Sequence, residues 1–367
     1  MRHHLVASVV TTIGVLGAVA PVLAQAKGSA EASAAAVVNP KWTPPKLAWG
    51  HPDLEGIWTS DDMRGVPMSR PVQFGERKFL TDEEFAKRAG DRGKARGFDN
   101  ARTGTFRNEE GSRDFGYTSL VVEPADGRVP ALTPEARARR PVPGTNGVGP
   151  FNTLADFNNY DRCITRGLAG SWLPVVYGNG ARIVQTPDTI AISYEMVHDT
   201  RIIPLDPSTS SGSPRAQSRG DGRPHISSNI QQLMGDSRGH WEGNTLVIET
   251  TNFTDRTSIG PNGGGARHSA AMKMTERITR IDPQMIDYEL HVDDPKTYLA
   301  PWTLRMTLTT QPGYEIFEYG CHEGNHSVAN SLSAERAYEK QAAENAAKGL
   351  PPPERVFERV NGEDRGR

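Results

Sequence analysis

The stretch that decides the fold class is Gly239-His-Trp-Glu-Gly-Asn-Thr-Leu-Val-Ile-Glu-Thr-Thr-Asn-Phe253. It contains two runs of strand-forming residues, and the tetrapeptide Glu242-Gly-Asn-Thr245 separates them. Glycine and asparagine accept the positive φ angles that tight hairpin turns require. The stretch therefore predicts two antiparallel strands joined by a short turn.

Similar short runs lie on both sides of this hairpin. They are rich in β-branched and aromatic residues and are bounded by turn residues such as Asp, Pro and Gly. They cover residues 182–185, 189–195, 200–203, 272–281, 285–292, 302–310 and 314–321. No amphipathic helical pattern separates them, so we expect an antiparallel meander and not a parallel sheet with crossover helices. In 285–292 the apolar residues alternate with polar ones, which predicts one buried face.

A meander of this size must hide its edge strands, because exposed edges pair with other chains. Closure into a barrel and folding into a sandwich both achieve this. An early strand, Gly56-Ile-Trp58, that returns to the meander is similar to the lipocalin plan. We therefore predict a mainly β fold in which an antiparallel meander closes into a lipocalin-like barrel, and the sandwich is the alternative.

The start of the chain has the composition of an export signal. Residues 1–25 combine Arg2, an apolar run and small residues before the alternative cleavage points Ala24 and Ala26. We expect a signal peptide here, a periplasmic or secreted protein, and no membrane span after cleavage.

The rest of the chain divides by composition into three parts. Residues 26–50 are rich in Ala, Ser and Pro and predict a flexible lead-in. Residues 51–335 predict a single β-barrel-like domain, within which 89–150 lack periodicity and predict an irregular excursion. Residues 336–367 predict a charged helix and then a disordered tail.

The charge balance excludes a class of partner. The chain has 42 Lys and Arg against 44 Asp and Glu; removing residues 1–25 takes away one Arg and no acid, which leaves 41 against 44 and a formal charge of −3. A nearly neutral chain offers no electrostatic attraction to nucleic acid or to an anionic membrane. Glycine-rich phosphate loops and Cys-x-x-Cys motifs are also absent from the sequence. We therefore expect no cofactor, and a small molecule as the ligand or substrate.

The chain has two cysteines, Cys163 and Cys321. In an exported protein an even number of cysteines favours a disulfide. Two separate buried thiols are the alternative.

Several motifs recur together in known sequences. They include Pro52-Asp-Leu-Glu-Gly-Ile-Trp58, Arg223-Pro-His225, Gly235-Asp-Ser-Arg-Gly-His-Trp-Glu-Gly-Asn-Thr-Leu246 and Glu318-Tyr-Gly-Cys-His-Glu-Gly-Asn325. With these motifs the chain resembles a large family of exported bacterial proteins, most of them uncharacterised. The resemblance runs from about residue 50 to residue 335. It implies one β-barrel-like domain with a small-molecule pocket.

The first candidate catalytic cluster lies at a predicted strand end. Glu195, His198 and Arg201 are close in sequence there, where barrels place functional groups. A carboxylate, an imidazole and a guanidinium together could bind an anionic or phenolic group and move a proton. The alternative is an exposed ion pair of little energetic value.

The second candidate cluster lies in the hairpin. Residues two apart in a strand face the same side, so Asp236 pairs with Arg238 and His240 pairs with Glu242. An acid beside an imidazole could remove a proton from a substrate and return it. The alternative is that Asp236 caps a turn while Trp241 packs in the core.

Glu318 is a third catalytic candidate because it lies in the last predicted strand. If it faces inward with Tyr314 and Ile316, it is a buried acid with a raised pKa. If Phe317 and Tyr319 face inward instead, Glu318 is a surface residue.

The segment His322-Glu-Gly-Asn-His326 satisfies the zinc pattern H-E-x-x-H. That pattern requires a helix, in which two histidines one turn apart hold the metal and the glutamate polarises a water. Glycine and asparagine in the middle are poor helix formers, so His322, Glu323 and His326 are weak candidates and we expect no metal site.

Six aromatic side chains are candidates for lining a substrate pocket, and the alternative is that they fill the core. They are Trp58, Tyr194, Trp241, Tyr288, Trp302 and Tyr319. Two functions follow from these candidates: a cofactor-independent lyase, isomerase or hydrolase that uses acid–base side chains, or a carrier of small molecules. An enzyme requires convergent polar side chains in its cavity, and a carrier requires an open, mostly apolar one. We favour the enzyme.

Overall fold

The structure is a computed structural model that describes residues 41–91, 115–139, 150–175, 177–206, 224–311 and 313–354. The predicted signal peptide, most of the predicted lead-in and the end of the predicted tail lie outside these residues. None of the helices in the described ranges combines the length and the apolarity needed to cross a membrane.

In the described ranges ten strands form one antiparallel sheet, which confirms the mainly β class. The strands are β1 (Gly56–Thr59), β2 (Val121–Glu123), β3 (Gly180–Gln185), β4 (Thr189–Tyr194), β5 (Thr200–Pro204), β6 (Asp236–Glu242), β7 (Thr245–Thr251), β8 (Lys273–Asp282), β9 (Met285–Asp293) and β10 (Trp302–Thr309). Their order across the sheet is β5-β4-β3-β1-β10-β9-β8-β7-β6, and β2 pairs with β10 beside this path.

The predicted hairpin joins β6 to β7. Glu242 pairs with Thr245, so Gly243 and Asn244 form a two-residue turn, and Gly243 has a φ of 63°. That conformation suits glycine, which has no Cβ to clash with the backbone. Strand β9 shows the predicted alternation: Ile286, Tyr288, Leu290 and Val292 are buried between more exposed polar residues.

Strand β1 joins the two halves of the meander. Gly56 pairs with Ile183 of β3, and Thr59 pairs with Thr309 of β10. The two edges of the sheet, β5 and β6, meet at a single parallel bridge between Leu205 and Gly239. The sheet is therefore not closed into a barrel, and we call the line along which β5 and β6 face each other the seam.

The predicted last strand, 314–321, is not a strand. Its alternation suggested pairing with β10, but β9 covers one edge of β10 while β1 and β2 cover the other. The segment is instead attached to other parts of the fold by side-chain contacts and by a disulfide. The structure confirms this disulfide, between Cys163 and Cys321.

Helices and irregular segments cover the sheet. The helices are α1 (82–91), α2 (Pro134–Ala138), α3 (Leu168–Trp172) and α4 (His326–Ala347). The last begins ten residues before the predicted start at 336, directly after a turn in which Asn325 donates to the Asp161 carbonyl at 2.7 Å.

The predicted excursion at 89–150 contributes to the sheet and core. It contains β2, and Phe115, Leu120 and Val121 are buried in the main hydrophobic cluster. Three residues of strand are too few to produce a readable alternation, so the pattern did not show this strand.

Candidate functional site

The structure separates the first predicted cluster. Arg201 lies on the inward face of β5 and is 4% exposed, Glu195 is also buried, and His198 is exposed. Val197 and His198 have φ angles of 66° and 54°, and this turn directs the three side chains apart. Glu195, His198 and Arg201 therefore do not form one site.

Each member of the divided cluster has its own partner. Glu195 accepts a hydrogen bond from the hydroxyl of Tyr314. His198 Nε2 accepts the backbone N–H of Tyr319 at 3.2 Å. Both contacts attach the 314–321 segment to the β4–β5 connection, so their role in the fold is structural.

Arg201 forms a buried ion pair with Glu276 across the interior. Its Nη1 and Nη2 donate to the two carboxylate oxygens at 3.1 and 2.5 Å. The Tyr288 hydroxyl donates to Glu276 Oε1 at 2.9 Å. Glu276 and Tyr288 are both 0% exposed, so the network is shielded from water. A buried charge is tolerated only when it is paired and hydrogen-bonded in this way.

Electrostatics keeps this network in one protonation state. Burial raises the pKa of the Tyr288 hydroxyl well above its ordinary value, and the charge of Glu276 adds to the rise. Burial acts to lower the pKa of Arg201, but the Glu276 carboxylate outweighs it and the pKa rises. Tyr288 therefore stays neutral and Arg201 stays charged.

A cleft of about 520 Å³ opens at the seam between β5 and β6. Its walls come from residues between 199 and 204 on one side, residues 232–238 on the other, and Ile164 and Thr165. This volume lies in the range of small-molecule sites. Two predicted catalytic residues, Arg201 and Asp236, meet in its lining.

Asp236, which lines this cleft, holds an imidazole that is not itself among the described lining residues. Its Oδ2 lies 2.8 Å from His225 Nδ1 and accepts the Ile226 N–H at 3.0 Å, while its Oδ1 accepts from Arg238 Nη1 at 2.7 Å. A carboxylate only accepts hydrogen bonds, so His225 Nδ1 carries the proton. The other ring nitrogen, Nε2, is then the one that can take a proton from a substrate. The predicted pairing of Asp236 with Arg238 is confirmed.

A second carboxylate, Asp199, lies in the same cleft. Burial raises its pKa, while a hydrogen bond from the Thr165 hydroxyl at 2.5 Å and the charge of Arg201 act against the rise. A carboxyl group with a raised pKa is suited to donate a proton near neutral pH. The cleft thus contains a candidate acid, Asp199, and the carboxylate that orients a candidate base, His225.

His240 and Glu242 pair as predicted, but on the solvent side of β6. His240 Nε2 lies 3.2 Å from Glu242 Oε1, and Arg277 also donates to Glu242 at 2.8 Å. Their side chains are 30% and 50% exposed, and the described lining of the cleft includes neither. His225 contacts the lining residue Asp236, whereas His240 pairs with a carboxylate outside the lining, so the position of His240 does not support a catalytic role.

Five of the six candidate pocket aromatics are core residues, as the alternative interpretation held. Trp58, Tyr194, Tyr288 and Trp302 are at most 2% exposed, and Trp241 is 8% exposed. All five belong to one hydrophobic cluster. They stabilise the fold and do not line an open pocket.

Glu318 and Tyr319 line a second cavity, of about 460 Å³, beside the disulfide. Glu318 is exposed, which agrees with the alternative interpretation that it is a surface residue. Asp161 lines the same cavity, and burial raises its pKa to about 6 while a backbone hydrogen bond from Asn158 acts against the rise.

The raised pKa of Asp161 predicts a pH-dependent stability. Folded Asp161 binds a proton more readily than unfolded Asp161, so stability falls as pH rises from about 4 to about 6. Asp161→Asn should remove this loss and raise the free energy of unfolding at pH 7.5 by about 1 kcal/mol, because solvent screens the partly exposed carboxylate. Urea denaturation at pH 4, 6 and 7.5 measures it.

The matched control is Asp293→Asn, which removes an exposed carboxylate from β9. We expect this variant to follow the wild type at every pH. The prediction would be contradicted if the free energy of unfolding changed between pH 4 and 6 to the same degree in the wild type and in both variants.

The H-E-x-x-H segment does not form a zinc site of the helical kind. His322 and Glu323 lie in a turn, whereas His326 is the first residue of α4, so the two histidines do not share a helix face. Among the described residues, no group of three His, Cys, Asp or Glu side chains is placed to hold a metal ion.

No protein-family model, curated protein or solved structure matches the chain.

Sequence reasoning did not select His225 or Asp199 as site residues. His225 appeared only within the Arg223-Pro-His225 motif, and nothing local indicated that it would reach Asp236. Asp199 follows His198 directly, but its burial depends on the 164–165 segment, which is distant in sequence. Only the folding of those segments onto the seam places them together.

Proposed function

We propose that this protein is an exported, cofactor-independent enzyme that carries out acid–base chemistry on a small organic molecule in the seam cleft. The observation that carries the proposal is the Asp236–His225 pair, whose carboxylate lines a cleft that also contains Asp199. An imidazole oriented by a carboxylate is a recurring arrangement for general base catalysis. The fold we associate with it is a lipocalin-like plan whose open seam is the entrance.

The proposed reaction is the removal and return of a proton. His225 Nε2 takes a proton from the substrate, and Asp236 stabilises the imidazolium that forms. Asp199, in its protonated form, gives a proton to a second position of the substrate. Lyases and isomerases both use such a base and acid on opposite sides of a substrate.

Arg201 supplies an anchor for the substrate in this proposal. Its Nε is buried and has no hydrogen-bond partner in the described part of the chain, although Glu276 takes both Nη atoms. A carbonyl or carboxylate oxygen of the substrate would satisfy this donor. The substrate class we expect is therefore a small molecule with such an oxygen.

Export is the part of the proposal that the disulfide supports. Disulfides persist in oxidising compartments such as the periplasm and the extracellular space, and they are rare in the cytosol. Cys163 and Cys321 are bonded. We therefore place the enzyme in the periplasm or outside the cell.

The proposal predicts that His225→Gln loses activity. Incubation of the protein in D₂O with mixtures of small carbonyl and aromatic compounds, followed by mass spectrometry, detects both new products and solvent deuterium in recovered substrates. We expect His225→Gln to slow the detected reaction by about 10²–10⁴-fold, because it removes the base but keeps the size of the side chain.

The control is His240→Gln, which removes the other imidazole–carboxylate pair of the same region. It should keep the wild-type rate because its side chain lies on the solvent face. Equal rates in the two variants, or a ligand that binds in the cleft without turnover or deuterium exchange, would overturn the enzyme proposal.

A further inference from the structure

The second cavity is separate from the seam cleft and has a different chemistry. Its walls come from Tyr160 and Asp161, from Tyr177, and from residues between 318 and 327, which include Cys321 of the disulfide. Two carboxylates, Asp161 and Glu318, line it. Of the described residues in its lining, none carries a positive charge. The cavity therefore favours a cationic occupant over an anionic one.

Three tyrosines surround this cavity. Tyr160, Tyr177 and Tyr319 all belong to its lining. The rings of Tyr177 and Tyr319 have centroids 6.4 Å apart and planes inclined at 43°. Neighbouring aromatic rings and carboxylates are the side chains that bind alkylated ammonium groups in proteins.

One ring of the cluster already holds a cation on its face. The guanidinium carbon of Arg166 lies 5.7 Å from the centroid of the Tyr160 ring. This distance is within the range at which a ring attracts a cation. Because Arg166 occupies a face of the Tyr160 ring, the rings of Tyr177 and Tyr319 are the ones left to contact a bound cation.

Among the described residues, no cation pairs with the carboxylate of Asp161. It accepts a hydrogen bond from the backbone N–H of Asn158, and burial dominates its environment. A partly buried carboxylate without a counter-ion is costly, and a bound cation would offset that cost. The carboxylate and the tyrosine rings thus point to the same kind of ligand.

We propose that this cavity binds a small quaternary ammonium compound, with the ammonium between the tyrosine rings and its charge matched by Asp161. A methylated ammonium is weakly hydrated and apolar at its surface, so it loses little on leaving water and gains from the ring faces. A cavity of about 460 Å³ accommodates a molecule of the size of choline.

The test compares choline with its neutral isostere, 3,3-dimethyl-1-butanol, by isothermal titration calorimetry on the purified protein. The two have the same shape and differ in charge. We expect choline to bind at least about tenfold more tightly. Equal affinity for the two compounds, or no choline binding, would overturn the proposal.

Variants locate the binding. Asp161→Asn and Tyr177→Leu should each weaken choline binding by about tenfold, while Glu315→Gln removes an exposed charge close in sequence and should leave it unchanged. Thermal melting confirms that each variant is folded. Choline affinity that is the same in all three would place binding elsewhere and overturn the proposal. His225→Gln should bind choline normally, which separates this site from the proposed enzyme site.

Discussion

A Glu276→Ala variant is expected to lose about 3–5 kcal/mol of unfolding free energy, because it leaves the Arg201 guanidinium buried without its partner. The two residues form two hydrogen bonds to each other, and Tyr288 would lose its acceptor as well. Solvent cannot compensate, since Arg201 is 4% exposed. Urea denaturation followed by circular dichroism gives the change in free energy.

A matched control is available in the exposed pair of Arg305 and Asp287. Arg305 Nε and Nη2 donate to the two oxygens of Asp287 at 2.6 and 2.7 Å, the same two-bond geometry on the solvent face of the sheet. Asp287→Ala should cost less than about 1 kcal/mol, because water replaces the lost contact.

Removal of both charges distinguishes the mechanism from loss of packing. An Arg201→Met, Glu276→Leu double variant fills the same space without any buried charge. It should recover most of the stability that Glu276→Ala loses. A Glu276→Ala variant no less stable than Asp287→Ala would contradict the account of the network.

The second large effect is expected from the disulfide. A Cys163→Ser, Cys321→Ser double variant should lose about 2–5 kcal/mol, because the bond joins residues 158 apart and restricts the unfolded chain. Cys321 and its neighbours in sequence line the second cavity, so the double variant should also bind choline less tightly. Chemical denaturation of the wild type with and without a thiol reductant provides a parallel measurement.

The expected result has a clear opposite. If the double serine variant has the wild-type midpoint, the 314–325 segment is held by its other contacts alone. Those contacts include the hydrogen bonds of Tyr314 to Glu195 and of Tyr319 to His198. The Cys321→Ser single variant leaves a free thiol and is therefore a less clean comparison.

Turn residues and side-chain alternation predicted the meander because both depend only on residues that are close in sequence. The Gly243-Asn244 turn and the alternation of Ile286 to Val292 each appear as predicted. Apolar and polar residues also alternate in the 314–321 segment, yet it forms no strand. Strands β1 and β2 already pair with the edge of β10 that β9 leaves open. Alternation indicates which face of a segment is apolar and does not indicate whether a partner edge is free.

The same distinction applies to the candidate site: local sequence selected individual residues, and the tertiary structure set their partners. Asp236 and Arg201 were selected in separate clusters, and the structure places both in the lining of one cleft, although Arg201 was expected to act with Glu195 and His198. Its true partner, Glu276, is 75 residues away in sequence. Pairings of that separation depend on the order of strands across the sheet.

The sequence by itself determined the β class, the positions of the tight turns, the buried face of β9 and the two cysteines available for a bond. Only the tertiary structure decided that β5 and β6 meet at a seam, that Asp236 holds His225 there, and that three tyrosines gather beside the disulfide. The physical reason is that turn chemistry and side-chain alternation act over a few residues. The meeting of two sheet edges depends instead on the packing of the whole chain.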